Sequence, residues 1–251
     1  MDFLRLEQLT KRFGGIEAVS DLTIVFERGR ITGLIGPNGA GKSTVVNMIT
    51  GIITPTDGDI WLGARSLKRI RPHEAAQLGI GRTFQNVRLL TEASVLDNIV
   101  VGFHRHQKSS LLANSIGLPL VWQEKRDFRI RALALIKRFG MSELANRPAG
   151  ALSYGHRRLV EVMRALALEP SFLLLDEPCA GMNDVESRNL GRIIGEMARQ
   201  GMGIVLVEHN MRFVMEFCAH IFVVDSGRLI AEGSPEVVRN DANVIRAYLG
   251  A

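Results

Sequence analysis

Nine consecutive residues, Gly36-Pro37-Asn38-Gly39-Ala40-Gly41-Lys42-Ser43-Thr44, constrain the fold of this chain more than any other stretch. They satisfy the pattern G-x-x-x-x-G-K-[ST], with Gly36, Gly41, Lys42 and Ser43 at the fixed positions. The three glycines let the backbone turn tightly enough to aim several N–H groups at one concavity, where a polyphosphate can sit. Lys42 is placed to reach the β- and γ-phosphates as a point charge, and the Ser43 hydroxyl to bind Mg²⁺. Upstream, Ile31 to Ile35 is a short β-prone run; downstream, Ser43 to Thr50 reads as a helix stopped by Gly51. Strand, glycine loop and helix in that order add the dipole of a helix N-terminus to the phosphate site. A nucleoside triphosphate is the expected ligand.

At 251 residues the chain is long enough for one large α/β domain with a smaller lobe. No window approaches 18 uninterrupted apolar residues, so no membrane span is expected. The start, Met1-Asp2-Phe3-Leu4-Arg5, lacks the basic and apolar regions of a signal peptide, which predicts a cytoplasmic location. Cys179 and Cys218 fit no metal spacing and are read as packing residues. The net charge of +5 is modest. Basic clusters occur at Arg65, Lys68, Arg69 and Arg71, at Arg126, Arg129 and Arg131, and at Arg157-Arg158. None is interleaved with the aromatics of a single-strand binder, so they read as solvated helix faces and no nucleic-acid partner is expected.

Leu4, Leu6 and Leu9 partly alternate with polar residues, and Leu22, Ile24 and Phe26 do so strictly, as half-buried antiparallel strands do. Ile60-Trp61-Leu62 is a further short strand. Phe172 to Leu175, Ile204 to Val207 and Ile221 to Val224 are unbroken apolar runs, suited to parallel strands buried on both faces. The expected fold is therefore α/β of the phosphate-loop NTPase type. It has a mostly parallel, helix-flanked sheet, an N-terminal antiparallel β subdomain, and an inserted helical subdomain over residues 86–150 where the strand signal disappears. Residues 1–85 and 151–251 then form the core of one domain. Within the insert, Ser94 and Asp97 form a capping box opening a helix through Val101, and Gln123 to Phe139 is a longer amphipathic helix. Ser234-Pro235-Glu236 opens a short C-terminal helix.

Four further features carry chemistry. Phe172 to Glu177 is an apolar strand ending in two carboxylates, which in an open α/β sheet emerge beside the phosphate loop. Asp176 suits the Mg²⁺ shell through water, and Glu177 suits the attacking water as base or polariser. Val207-Glu208-His209 repeats that geometry, so His209 can donate to a γ-phosphate oxygen or position the water. Gln85, at the junction of core and helical insert, can bind Mg²⁺ or the water. Finally, Leu152-Ser153-Tyr154-Gly155-His156 precedes a helix expected from about Arg157 to Leu168, and places Ser153 and Gly155 where an anion meets a helix start.

The ordered set Gly36–Thr44, Gln85, Leu152–His156, Leu173–Glu177 and His209 resembles the nucleotide-binding subunit of an ATP-binding cassette (ABC) transporter over essentially the whole chain. The resemblance implies ATP as the nucleotide, Mg²⁺ as cofactor, and a second ABC ATPase subunit, the same or different, packed head to tail. Each ATP would lie between one subunit's phosphate loop and the partner's Ser153 and Gly155. Catalysis would fall to Glu177, His209 and Lys42. Phe13 matches the aromatic that stacks on adenine, and Asn183-Asp184 the loop linking the two sites. Gln85 and the helical lobe would form the groove for integral membrane permease subunits. That places the chain peripherally on the cytoplasmic face of the inner membrane, with a solute receptor acting indirectly. The usual signature Leu-Ser-Gly-Gly-Gln is altered here by Tyr154 and His156.

Finer detail is similar to the branched-chain amino-acid importers, and to the longer of their two ATPase subunits. It lies in Gly81 to Leu89, Ala180 to Asn183, Val207 to Met211 and Val244 to Gly250. Importers of urea, short amides or other amino acids belong to the same class, and a lipopolysaccharide-export ATPase is the nearer rival outside it. A soluble ABC ATPase acting on DNA or the ribosome would carry two cassettes or a long coiled-coil insertion. A GTPase would carry Asn-Lys-x-Asp. None of these occurs in the chain.

Overall fold

The computed structural model describes residues 3–83, 88–107 and 119–249. Strands β1 (Phe3–Phe13) and β2 (Ile16–Glu27) form an antiparallel hairpin. Leu4, Leu6, Leu22, Ile24 and Phe26 share its buried face, as a period of two requires. Strand β3 (Ile31–Ile35) is buried throughout and runs through the glycine loop into helix α1 (Lys42–Ile49). Strands β4 (Asp57–Leu62) and β5 (Arg65–Ser66) complete a four-stranded sheet in the order β2-β1-β4-β5. Helix α2 (Pro72–Gln77) and strand β6 (Ile80–Arg82) follow.

The helical lobe is built on α3 (Val95–Gly102) and α4 (Pro119–Arg138). Ser94 caps α3, its hydroxyl accepting the N–H of Asp97 at 3.0 Å. Stacking of Phe103 on Phe128, with ring centroids 5.4 Å apart, joins the two helices. Buried Ala132 and Ile136 of α4 extend the same core. An ion pair from Arg131 to Glu169 ties α4 back to the main body.

The main body resumes with α5 (Tyr154–Leu166), which begins three residues before the sequence-based boundary because Ser153 serves as its N-cap. The order is then β7 (Phe172–Asp176), α6 (Asp184–Arg199), β8 (Gly203–Val207), α7 (Met211–Phe217), β9 (His220–Asp225) and β10 (Arg228–Gly233). Helices α8 (Pro235–Arg239) and α9 (Ala242–Leu249) close the chain. The six-stranded sheet has the order β10-β9-β3-β8-β7-β6, parallel except for β10.

Its two faces bury separate cores. Phe172, Leu174, Val205 and Val207 face α1 and the antiparallel sheet. Leu173, Leu175, Ile204 and Leu206 face the helices and the helical lobe. This double burial is why the parallel strands read as unbroken apolar runs. It also sets β3, β8 and β7 side by side, so that their carboxyl ends open together at one edge.

Candidate active site

The loop after β3 is fixed by contact with two other strands. Gly36 and Gly41 have φ of 152° and 95°. A Cβ on Gly36 would overlap the carbonyl oxygen of Val224, and one on Gly41 that of Ala18. Only glycine fits at either position. Beyond the loop, α1 starts without a side-chain cap and without an acidic residue in its first turn. Its leading N–H groups therefore face the loop with no carboxylate to compete against an anion. Lys42 is buried, and its ammonium donates to the carbonyls of Gly36 at 2.7 Å and Pro37 at 2.8 Å.

A cleft of about 300 Å³ lies over this loop, lined by Ala18, Asn38 to Thr44, Glu177, Val207 and His209. The phosphate loop thus shares one space with the ends of β7 and β8. Larger grooves of about 560 and 820 Å³ run along the C-terminal helices and are not lined by the loop, Glu177 or His209.

Within the cleft, His209 Nε2 lies 3.1 Å from Glu177 Oε1. Glu177 is held with φ of 49°, a left-handed conformation costly for a residue with a side chain. Surrounding bonds hold it there. Its N–H donates to the Val207 carbonyl at 2.8 Å, and its own carbonyl accepts from Arg158 at 3.1 Å. Buried Glu208 fixes the opposing turn. One oxygen of its carboxylate accepts the N–H of Cys179 at 2.9 Å. The other accepts those of His209 and Asn210 at 3.0 and 3.1 Å. A single carboxylate therefore ties the segment after β7 to the one after β8, and that sets imidazole against carboxylate.

Asp176 points into the body of the domain rather than into water. Its Oδ2 lies 3.6 Å from the Arg82 guanidinium, which also donates to Asn47 Oδ1 of α1 at 2.7 Å and to Oγ1 of Thr50, the C-cap of that helix, at 3.0 Å. Arg82 thereby couples the helix of the phosphate loop to the carboxylate strand. Burial pushes the Asp176 carboxyl above its ordinary value, and the Arg82 charge opposes that rise. Burial also lowers the Lys42 ammonium, with the negative charges of Glu177 and Asp176 acting against it. The thiols of Cys179 and Cys218 are buried and free, the latter pushed up to about 12 by desolvation, so both stay protonated and pack.

Among the described residues no three His, Cys, Asp or Glu side chains form a metal cluster. Among the described residues, the Ser43 and Thr44 hydroxyls and the Glu177 carboxylate line the cleft over the loop, while the Asp176 carboxylate lies behind it against Arg82. That set is too small to cage an ion alone, but it fits Mg²⁺, which keeps water and phosphate oxygens as most of its ligands.

The remaining predicted site residues lie off the cleft lining. Phe13 ends β1 with its ring 46% exposed and the Lys11 ammonium 5.1 Å from its centroid. Ser153 Oγ accepts the N–H of His156 at 3.3 Å and sits 3.1 Å from its Nδ1. The Tyr154 ring packs on Gly181, so the residue replacing a glycine of the usual signature leans on the loop that follows Glu177. Asn183 caps α6 through the N–H groups of Val185 and Glu186. Gln85 lies outside the described residues.

Arg82, Arg158 and Glu208 were not assigned roles from sequence. Arg82 is a lone charge in Gly79 to Gln85, Arg158 belongs to the basic pair Arg157-Arg158, and Glu208 sits beside the more conspicuous histidine. A charge bordering an apolar strand or lying on an amphipathic helix gives one weak signal, its proximity to core positions, and partners distant in sequence cannot be read there.

Residues 19–180 match the family model described as ABC transporter. The chain belongs to the ABC transporter family. It is an ATP-binding cassette, the subunit that binds and hydrolyses ATP. The last residues of this cassette, 228–251, match a second model, described as branched-chain amino acid ATP-binding cassette transporter. The cassette is 38% identical to the high-affinity branched-chain amino acid transport ATP-binding protein BraF of Pseudomonas aeruginosa, covering 98% of this chain and 97% of BraF. It is 40% identical to LivG of Escherichia coli, with the same coverage. It is also 34% identical to the lipopolysaccharide export system ATP-binding protein LptB of Haemophilus influenzae, over 100% of this chain and 98% of LptB. A nucleotide-free ATP-binding cassette from an ABC transporter superposes with a TM-score of 0.86 at 31% identity, each chain fully covered. The ADP conformation of MJ1267, an ATP-binding cassette of an ABC transporter, gives 0.85 at 32%, again with full coverage. Among the described residues no helix is long and apolar enough to cross a membrane.

Proposed function

We propose that this cassette drives uptake of branched-chain amino acids through a membrane complex. The observation that carries the substrate class is the match of residues 228–251 to the branched-chain cassette model. Identities of 38% and 40% to BraF and LivG, against 34% to LptB, support it. Importers of urea, amides or other amino acids remain the alternative substrates within the class. Export of lipopolysaccharide is a second reading, favoured by the full-length similarity to LptB.

In the proposed mechanism the loop N–H groups and Lys42 hold the β- and γ-phosphates. Lys42 then exchanges its bonds to the Gly36 and Pro37 carbonyls for phosphate oxygens. Ser43, Asp176 through water, and Gln85 would hold Mg²⁺, which would supply positive charge against the charge that develops on the phosphates. Glu177 orients a water and takes its proton as the water oxygen bonds to the γ-phosphorus. The bond from that phosphorus to the β–γ bridging oxygen breaks, leaving ADP and inorganic phosphate. His209, braced by Glu177, donates to a γ-phosphate oxygen.

Phe13 stacks on adenine. Ser153 and Gly155 serve the ATP of a second cassette packed head to tail, and Asn183-Asp184 runs between the two sites. The helical lobe with Gln85 receives the permease subunits on the cytoplasmic side of the membrane. Ligand closure of the dimer moves that lobe, and hydrolysis resets it.

The test is reconstitution of the cassette with its genomically adjacent permease subunits and solute receptor in proteoliposomes. Leucine-loaded receptor should stimulate ATP hydrolysis and leucine uptake. Stimulation by a urea-, sugar- or metal-loaded receptor alone, or by lipopolysaccharide, would overturn the substrate assignment.

A further inference from the structure

Helix α4 carries an outward face that neither the nucleotide site nor the core uses. Trp122, Arg126 and Ile130 fall at successive four-residue steps. So do Arg129, Leu133 and Lys137 in the adjacent row. Residues four apart stack on one side of a helix, so these six form two neighbouring ridges, each about 12 Å long and together covering about 22 Å of the helix. The core of the lobe begins at the flank of the Arg129 row, where Val121, Ala132 and Ile136 are buried. Trp122, Ile130 and Leu133 are 68%, 56% and 45% exposed, which is unusual for three large apolar side chains on one helix.

The charges on this face have one sign. Both acids of α4, Glu124 and Asp127, fall outside the two ridges, and Asp127 pairs with Arg131 at 3.8 Å. On the ridges, Arg129 lies 3.5 Å from Asp97 of α3. Just beside them, the Lys125 ammonium sits 5.9 Å from the centre of the Trp122 ring. Each apolar side chain thus has a cation as its neighbour along the ridge.

We propose that this face of α4 rests on the surface of an anionic lipid bilayer. A protein partner would favour a contiguous apolar centre with a polar rim and few lysines. Here apolar and basic residues alternate instead. That suits a helix lying in the interface plane, with Trp, Ile and Leu entering the headgroup boundary while Arg and Lys reach lipid phosphates. Three or four cations give a weak, salt-sensitive attraction, sufficient to orient a cassette already held at the membrane by other subunits. The proposal does not depend on the transported solute, and it is measurable on the cassette alone.

The experiment uses the full chain with vesicles of phosphatidylcholine, or of equal phosphatidylcholine and phosphatidylglycerol. Binding is read by co-sedimentation and, in a Trp61→Phe background, by the emission of Trp122. The expected result is binding to the anionic vesicles with a blue-shifted Trp122, and at least a tenfold loss in 0.5 M salt at about this screening strength. Trp122→Ser/Arg126→Glu/Leu133→Ser should lower partitioning at least tenfold with unchanged ATPase rate and melting temperature. The control Arg65→Glu/Arg69→Glu, which alters another basic cluster, should leave partitioning unchanged. Equal binding to both vesicle types, no binding to either, or equal loss with the control would overturn the proposal. So would retained binding by the α4 variant, or a Trp122 shift produced by self-association or permease subunits in lipid-free solution.

Discussion

Arg158 donates to the main-chain carbonyl of Glu177 at 3.1 Å, reaching from the second turn of α5 into the loop beyond β7. The same guanidinium donates to the carbonyl of Asp176 at 2.9 Å and to Glu161 at 2.8 Å, with both side chains of that ion pair 1% exposed. The helix that begins at Ser153 and the residue facing the phosphate loop are therefore rigidly joined. Removing one member of a buried pair costs far more than removing both. Arg158→Met should lose about 3–5 kcal/mol of unfolding free energy in urea, and Arg158→Met/Glu161→Met should recover most of it. Equal losses in the two variants would show that the pair is not what holds this segment.

Glu177 bonds to the β8 end only through its main chain and to His209 through its carboxylate. Glu177→Gln keeps the size of the side chain and the left-handed backbone but removes the carboxylate proposed as the base. Turnover should fall by about 10²- to 10⁴-fold, the range for loss of a general base. ATP affinity should change little, and size-exclusion chromatography should show an ATP-dependent dimer. Wild-type turnover in this variant would remove Glu177 from the mechanism.

Burial lowers the Lys42 ammonium in the free protein below the ordinary lysine value of 10.5. As pH rises through that lowered value, the free protein loses the proton first. Bound phosphates favour the charged form and draw a proton back. ATP binding at alkaline pH should therefore take up protons, and affinity should fall at lower pH than for an exposed lysine. Calorimetry in two buffers of different ionisation enthalpy reads the uptake directly. An uptake that persists in Lys42→Arg would assign it to another group.

The phosphate loop, the carboxylate pair and His209 were legible because each depends on local chain chemistry: glycines where the backbone turns, an apolar run ending in acids. The α3 cap was legible for the same reason, since Ser94 and Asp97 are three residues apart. The start of α5 was placed late because Tyr154-Gly155-His156 is poor helix sequence, and Ser153 capping outweighs that propensity. Short β6 carried no period to read, being three residues long and held by β7. The basic residues Arg126 and Arg129 read as a solvated face, and only the course of α4 shows Trp122, Ile130 and Leu133 beside them.

By itself the sequence determined that this protein binds a nucleoside triphosphate, because nine contiguous residues define a phosphate cradle whatever surrounds them. It also determined the parallel core, through apolar runs too long and unbroken for a sheet wetted on one side. Tertiary structure decided how the groups of the candidate site are aimed. Glu208 clamps two chain segments, Arg82 joins α1 to Asp176, and Arg158 grips the carbonyl of Glu177. Each of these contacts links groups that are distant along the chain or lie on different elements. Such contacts exist only once the sheet has aligned the ends of β3, β7 and β8, and no local pattern encodes that alignment.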